Sequence, residues 1–530
     1  MTKESPKAYL VGGGIASLSA AFYLIKEGFV ASNIHILERL KVTGGSMDAS
    51  GNERDGFLMR GGRMFDLEAY TALWDMLDQI PSVQRPGNTV KQDIFEFSKE
   101  HPTSSRARLI NSEHEKVDVT HLGVSVKDNV LFTKLLVTPE SAIEMLKISE
   151  YFTEDFFESN FWKIFCTTFA FQPWHSLIEM KRYMKRFLHE VAKLSDLSGV
   201  YRTIFNQYDS IIMPVTKYLL EKNVVFEHDV VVTGIDFSWS PAGRTVDKIE
   251  LKRGGVPEII TLESSDFCFT TLGSLTAAAT IGTSTAPPKV NFESAANCPS
   301  YNLWKDISKK GPDFGNPDAF YCSPLKSGFE SFSVTIKDNG KFLERMIEWS
   351  RNRDGEGALV TLRDSSWFMS CVIPHQPHFK NQPDDVTVFW GYGLKVDSVG
   401  DFVKKPMMEC SGLEILQELL YHLKFDDILE STLASAIVLP AMLPFTMAQF
   451  MPRKVTDRPK VVPEGSINFA FLGQFVEVPD DVVFTVEYSV RCAQIAVFHL
   501  MKSETKVTPI YQGWLSPVNL VKSARAILLP

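Results

Sequence analysis

Hydrophobic spacing along the 530-residue chain changes period several times, and each change marks an element. At the start, KAYLV is an unbroken apolar run, GGGIAS is a glycine turn, LSAAFYLIKEG carries apolar residues at helical spacing, and NIHILE is a second apolar run. That order predicts strand, tight turn, helix and strand, a βαβ unit. From about residue 70 to 195 the pattern turns helical, most clearly in EYFTEDFFESNFWKIF and HSLIEMKRYMKRFLHEVAKL. Strand-like runs return in VVFEHDVVVTGIDF, DKIELKR and DFCFTT, and again in INFAFLGQF near the C-terminal end. KKGPDFGNPD (309–318) reads as a surface connection. The uncharged stretch from Ser431 to Pro452 spans about 22 residues, enough to cross a bilayer. Pro440 and Pro444 would break such a helix, so a buried or cavity-lining segment is expected instead.

Length predicts two or three structural units. A hydrophobic content of 44% with 22% charged residues is ordinary for a globular protein. The net charge of −9 argues against a nucleic-acid partner. Seven cysteines are scattered without a CxxC pair, which signals neither a disulfide framework nor a zinc site and suggests a reducing compartment. The opening MTKESPKAYLVGGG has no charged-then-apolar leader, so a cytoplasmic location is expected.

Gly12-Gly13-Gly14-Ile15-Ala16-Ser17 fits the GxGxxG pattern between the predicted strand and helix. Glycines there let backbone N–H groups approach a pyrophosphate at the positive end of the helix, and Glu38, closing the second strand, is placed to accept from ribose hydroxyls. An adenine dinucleotide site follows. Gly44-Gly45-Ser46 and Arg60-Gly61-Gly62-Arg63 are further close-approach loops, with space for a flat ring and two guanidiniums for an anion. Gly473 ends a predicted strand, and VFTVEYSVRCAQIAV reads as a helix that carries Ser489 and whose N-terminus, near Thr485, is aimed at the cofactor.

GGGIASLSAAFYLI, HILE, RGGR, SNFWKIFCTTFAFQPWHSLIEMKRYMKRF, NQYDS and FLGQF with VFTVEYSVR together resemble the fatty acid (oleate) hydratases, also called myosin-cross-reactive antigens. The resemblance spans almost the whole chain. It implies an α/β fold with α+β insertions: a Rossmann-type FAD-binding domain of the amine-oxidase-like architecture, with a largely helical substrate region. It further implies a hydro-lyase that adds water to the cis-9 double bond of oleate, with FAD in a non-redox role and its reduced form the better activator. Tyr183 is then the acid. The family's usual water-activating glutamate falls on Met64, whose thioether cannot take a proton from water. That leaves three readings: an inactive enzyme, substitution by Asp66 or Glu68, or attack by water on a strongly polarised alkene, of which the third is preferred. Lys181, Arg182 or the flavin would help Tyr183. Gln207 matches a substrate-lining residue. The family's Thr-x-Asn-x-x-x-His pattern for the carboxylate falls on Val372, Pro374 and His378, so only the histidine survives, with His375 as an added cation candidate. Pro374 and Pro377 and the lack of a third ligand argue against a metal there.

The resemblance divides the chain into a discontinuous FAD-binding domain (5–80, 196–300 and 460–505), a helical lid (81–195), a substrate region (301–459) and a short tail (506–530). Dimeric relatives carry a longer helical tail and an N-terminal arm, so a monomer is expected, with contact to a membrane surface left open. Two rivals remain at this stage: a flavin oxidoreductase of amine oxidase or desaturase type, and a non-catalytic fatty-acid or membrane-surface binding flavoprotein.

Overall fold

The computed structural model describes residues 5–62, 64–290, 295 and 298–528; Arg63 lies outside the described residues. A five-stranded parallel sheet runs in the order Phe469–Leu472, Phe267–Thr271, Ala8–Val11, Ile34–Leu37, Val225–Glu227. Its central strand is covered on both faces and fully buried, which is why KAYLV is apolar at successive positions instead of alternating. The helices Ile15–Lys26 and Val486–Leu500 pack side by side on it. The expected βαβ unit is therefore present, and ligands of such sheets sit beyond the carboxyl ends of the strands.

An antiparallel sheet of three strands (Val256–Thr261, Gly243–Arg253, Val230–Ser240) adjoins this layer. A seven-stranded sheet forms the other half, in the order Thr280–Ile281, Ala436–Leu443, Phe329–Ile336, Thr387–Gly393, Met369–Val372, Val360–Leu362, Leu109–Ile110. Alternation along its strands builds two surfaces. Phe332, Val334, Ile336 and Phe389 face a core closed by the helix Gly412–His422, while Phe329, Trp390 and Tyr392 face the interior cavity. Gly391 allows this layering, since a Cβ there would stand 2.3 Å from the Phe332 ring.

The segment from Ser431 is buried as expected only from Pro440 onward, with Ser431 and Ala434 exposed, and it is not one helix. Leu429–Ser435 is helical and Ala436–Leu443 is a strand. Pro440 is tolerated because the outer neighbour of that strand is only the two-residue strand Thr280–Ile281. No helix among the described residues is long and apolar enough to cross a membrane. KKGPDFGNPD is likewise not a simple surface connection. Phe314 within it is fully buried against Phe237 at 5.1 Å and Phe471 at 5.7 Å. In the C-terminal tail the helix Pro517–Leu528 packs on the turn Leu188–Lys193, where Ser523 donates to the Leu188 carbonyl at 2.6 Å.

A buried ion grid ties distant segments together. Arg186 Nε and Arg491 Nε meet the two oxygens of Asp481 at 3.1 and 2.8 Å, and Arg491 also pairs with Glu487. Glu487 accepts from the backbone N–H groups of Ala72 and Leu73 at 3.0 and 2.7 Å, and Arg186 donates to the Ala69 carbonyl. Burial would raise the Asp481 carboxyl, yet the two flanking guanidiniums hold it below its ordinary range. Asp481→Ala leaves two buried guanidiniums short of a partner. It is expected to lower stability by about 3–5 kcal/mol, read as the shift in urea unfolding free energy.

Candidate active site

Two cavities meet at the carboxyl end of the parallel sheet. The first, about 1790 Å³ with its open mouth, is lined by Gly12, Gly13, Gly14, Ala16, Glu38, Gly45, Ser46, Arg60, Gly473 and Ser489, all within motifs read from the sequence. Gly12 turns at φ 97°, in the left-handed region. Gly44 N–H donates to the Gly13 carbonyl at 2.9 Å, and a Cβ on Gly45 would lie 3.2 Å from the Gly14 Cα. The second glycine loop thus packs backbone to backbone on the first. The helix Ile15–Lys26 starts at Gly14 with no side-chain cap and no acid in its first turn. Its leading N–H groups face the cavity uncapped, which suits a pyrophosphate. Glu38 lies at the rim with its oxygens accepting from Gly13 N–H at 2.6 Å and Leu40 N–H at 2.7 Å, with lone pairs left for ribose hydroxyls. These features fit an adenine dinucleotide.

Ser17 lies behind this wall, its hydroxyl 3.2 Å from that of Thr271. Arg60 lines both cavities and is paired with Asp48, Nε to Oδ1 at 3.1 Å, so its charge is already partly met. Opposite, the helix Val486–Leu500 is capped by Thr485, whose hydroxyl accepts from Tyr488 N–H at 3.2 Å. Gln474 donates to Ser489 Oγ at 2.8 Å and to the Thr485 carbonyl at 2.9 Å, fixing that cap at the join between cavities.

The second cavity, about 1470 Å³ with its mouth, is largely apolar and brings together Gly61, Gly62, Met64, Tyr183, Gln207, Val372, Pro374, His375 and His378. Tyr183 is 1% exposed and boxed by Phe169 at 4.9 Å, Phe171 at 5.0 Å and Phe450 at 5.7 Å. Its hydroxyl donates to the Val483 carbonyl at 2.6 Å. Burial, with the neighbouring Tyr70 hydroxyl, pushes its pKa well above the ordinary phenol range. The expected helpers point elsewhere. Lys181 donates to the Thr138 carbonyl, and Arg182 is held by Glu140 at 2.9 Å and Glu477 at 2.7 Å.

Substitution for the missing glutamate by a nearby acid is also excluded by direction. Asp66 accepts from Glu68 N–H and Ala69 N–H at 2.8 and 2.6 Å and meets His189 Nε2 at 2.9 Å, and Glu68 is exposed beside Tyr511. Neither lines the cavity that Met64 enters.

At the other end, the NQYDS loop is clipped to the HQPHF loop: Asn206 N–H and Nδ2 donate to the His378 carbonyl at 2.8 and 3.1 Å. Gln207 and His378 are thereby neighbours on one wall. Burial, with His375 and Arg202 nearby, pulls His378 down to about 3, so it is a neutral imidazole and not a cation. His375 lies 3.2 Å from Asp354. Among the lining residues that were not anticipated are Tyr70, Arg202, and Trp390, whose Nε1 is buried without a partner. None belongs to a local motif; only the fold assembles them.

Solved structures share this architecture. An oxidoreductase from Methanosarcina mazei superposes with a TM-score of 0.53 at 10% identity over 94% of this chain and 100% of that one. Wild-type putrescine oxidase gives 0.52 at 11% identity over 94% and 99%. The fold is that of the amine-oxidase-like flavoproteins. Within that class the MCRA family model matches residues 5–498, and the chain belongs to the MCRA family. It is 37% identical over 537 residues to an oleate hydratase of Streptococcus pyogenes serotype M49 (strain NZ131), covering 99% of this chain and 89% of the relative. A linoleate hydratase of Lactiplantibacillus plantarum is 33% identical, covering 93% of each.

Burial also pulls His175 down to about 3, in keeping with its Nδ1 accepting from Gln172 N–H at 3.0 Å. The unfolded chain binds protons on His175 and His378 near 6.5 and the folded chain only near 3, so stability falls as pH drops below 6.5. Each histidine is expected to cost up to about 1.4 kcal/mol per pH unit, checked by urea unfolding at pH 8 and pH 5.

Proposed function

We propose that this protein hydrates the cis-9 double bond of oleate and related long-chain unsaturated fatty acids to 10-hydroxy fatty acids. The observation that carries the reading is a neutral phenol, Tyr183, held in an apolar cavity that opens onto a dinucleotide cavity, in a chain alike over 99% of its length to a named oleate hydratase. FAD fits the first cavity and, when bound, supplies electrostatic and not redox chemistry, with its reduced form the better activator. The strands of the parallel sheet come from 5–80, 196–300 and 460–505, which supports those segments as the FAD-binding domain beside the lid 81–195 and the substrate region 301–459. The cysteines among the described residues are all unpaired, in keeping with a cytoplasmic location.

An isolated alkene is a poor base, so its protonation needs a fixed acid and support for the positive charge that develops. Tyr183 delivers the proton to one alkene carbon. Phe169, Trp390 and Tyr392 line the cavity, and aromatic rings near the cationic carbon support its charge. Water adds to that carbon from the side of Met64 and loses its proton to solvent, and Tyr183 is reprotonated; the net change is one water added. Burial makes the Tyr183 phenol a weaker acid than a free one, so the transfer requires support for the phenolate it leaves. Met64 removes a base that this attack does not require, because a carbocation-like centre is quenched by water itself.

Incubation of protein, FAD, reductant and oleate in heavy-oxygen water is expected to place label in a hydroxyl at carbon 10. Anaerobic bleaching of the flavin by substrate, without label, would instead indicate an oxidase. Tyr183→Phe is expected to lower hydroxy acid formation by a factor of about 10² or more with the flavin absorbance intact. Met64→Glu is expected to retain flavin and change the rate; loss of flavin would assign Met64 to packing.

A further inference from the structure

Proton transfer from Tyr183 leaves a charge that its own hydrogen bond cannot hold. The hydroxyl donates to the Val483 carbonyl at 2.6 Å. When its hydrogen moves to an alkene carbon, the O–H bond breaks, a C–H bond forms and the electron pair stays on the phenolate oxygen. Two acceptors, a carbonyl and an anion, then face each other around a buried side chain. The charged groups near Tyr183 do not relieve this. Glu179, one turn earlier on the same helix, and Asp481 are anionic, and Arg458 is taken up by Glu179 at 3.0 Å.

Tyr70 has a hydroxyl to spare. It is 7% exposed, lines the same apolar cavity as Tyr183 and Met64, and its hydroxyl makes no hydrogen bond among the described residues. After burial itself, Tyr70 is the group that acts most on the Tyr183 phenol, ahead of Glu179 and Asp481. Burial, with Asp66 and Glu487 nearby, pushes the Tyr70 phenol above its ordinary range, so it keeps its proton and can donate.

The ion grid sets the two phenols beside each other. Arg186 follows Tyr183 by one helical turn, so both project from one side of the helix, and Arg186 donates to the Ala69 carbonyl. On the far side of Tyr70, Thr71 Oγ1 accepts from Arg491 at 3.0 Å and the Ala72 and Leu73 N–H groups donate to Glu487. The backbone around Tyr70 is thus pinned from both directions while its side chain is left to the cavity. That side chain does not cap the helix Thr71–Leu77, and its ring meets Phe65 edge-on at 6.2 Å. Phenylalanine would pack there as well, and a hydroxyl without a partner in an apolar wall is costly.

We infer that Tyr70 is a positioning residue for the proton step: its hydroxyl donates to the Tyr183 oxygen as the phenolate forms and holds that anion until Tyr183 is reprotonated. This rests on the hydration reading above. Tyr70 itself gains and loses no atom, and its O–H is the donor that replaces the Val483 carbonyl as the useful neighbour. A hydrogen bond to a charged oxygen is worth more than one to a neutral phenol, so the contact favours the state after transfer over the state before it.

The test reads the contact without turnover. In the FAD-loaded protein, trifluorotyrosine in place of Tyr183 brings that phenol's ionisation into a range that absorbance can follow. Adding Tyr70→Phe is expected to raise its pKa by about one unit or more, about tenfold in the ionisation constant. An unchanged value with flavin retained overturns the inference. If that variant does not fold, the reciprocal pair reads the same contact: trifluorotyrosine in place of Tyr70, titrated with and without Tyr183→Phe, and no shift there overturns it. In the labelled-water assay Tyr70→Phe is expected to lower kcat by a factor of about 10 to 100 with KM within about threefold. A protein that shows the titration shift but forms no labelled product separates the phenol pair from the hydration reading.

Discussion

The grid of Arg186, Asp481, Glu487 and Arg491 is the constraint on which the site depends, because it joins separate parts of the site. Arg186 ends the helix that carries Tyr183. Glu487 and Arg491 begin the helix that closes the cofactor cavity, and through Ala69, Ala72 and Leu73 the grid holds the segment that follows Met64. Its charges have almost no access to water, so each is fixed by the others: displacing one leaves its partners uncompensated in a medium where that is costly. The helix of Tyr183, the segment after Met64 and the helix beside the glycine-turn cavity are thereby held in one frame.

That frame lets the two cavities share a wall. Ser46, Arg60, Leu275, Thr276, Phe484, Thr485 and Val486 line both, so whatever binds at the glycine turn presents an edge to the apolar chamber. Inside the chamber the same desolvation acts on every polar group with different results. It keeps the Tyr183 phenol protonated, makes His378 neutral and pulls Arg202 down to about 10. A long apolar chain matches that lining.

The glycine turn, Glu38, the Thr485 cap and the burial of the stretch from Pro440 were legible because each rests on local rules: φ freedom, helix-end donors, proline in a helix. Side-chain direction was not. Lys181 and Arg182 flank Tyr183 in the chain, yet successive helical positions point roughly 100° apart, and both reach outward to other partners. Asp66 is two residues from Met64 and turns to His189 instead. Phe314 was read as surface because glycine and proline surround it, whereas aromatic neighbours from distant strands draw it inward.

The sequence by itself determined the dinucleotide fold, the family and the identity of residue 64, since these follow from periodicity and from motifs whose members are close along the chain. Only the tertiary structure decided which groups share the chamber with Met64. Arg202, Tyr70, Trp390 and His378 come from separate segments, and their meeting depends on sheet register and on the ion grid, interactions between residues hundreds of positions apart. The physical reason is range: backbone preference acts over a few residues, while desolvation and charge pairing act on whatever the fold brings together.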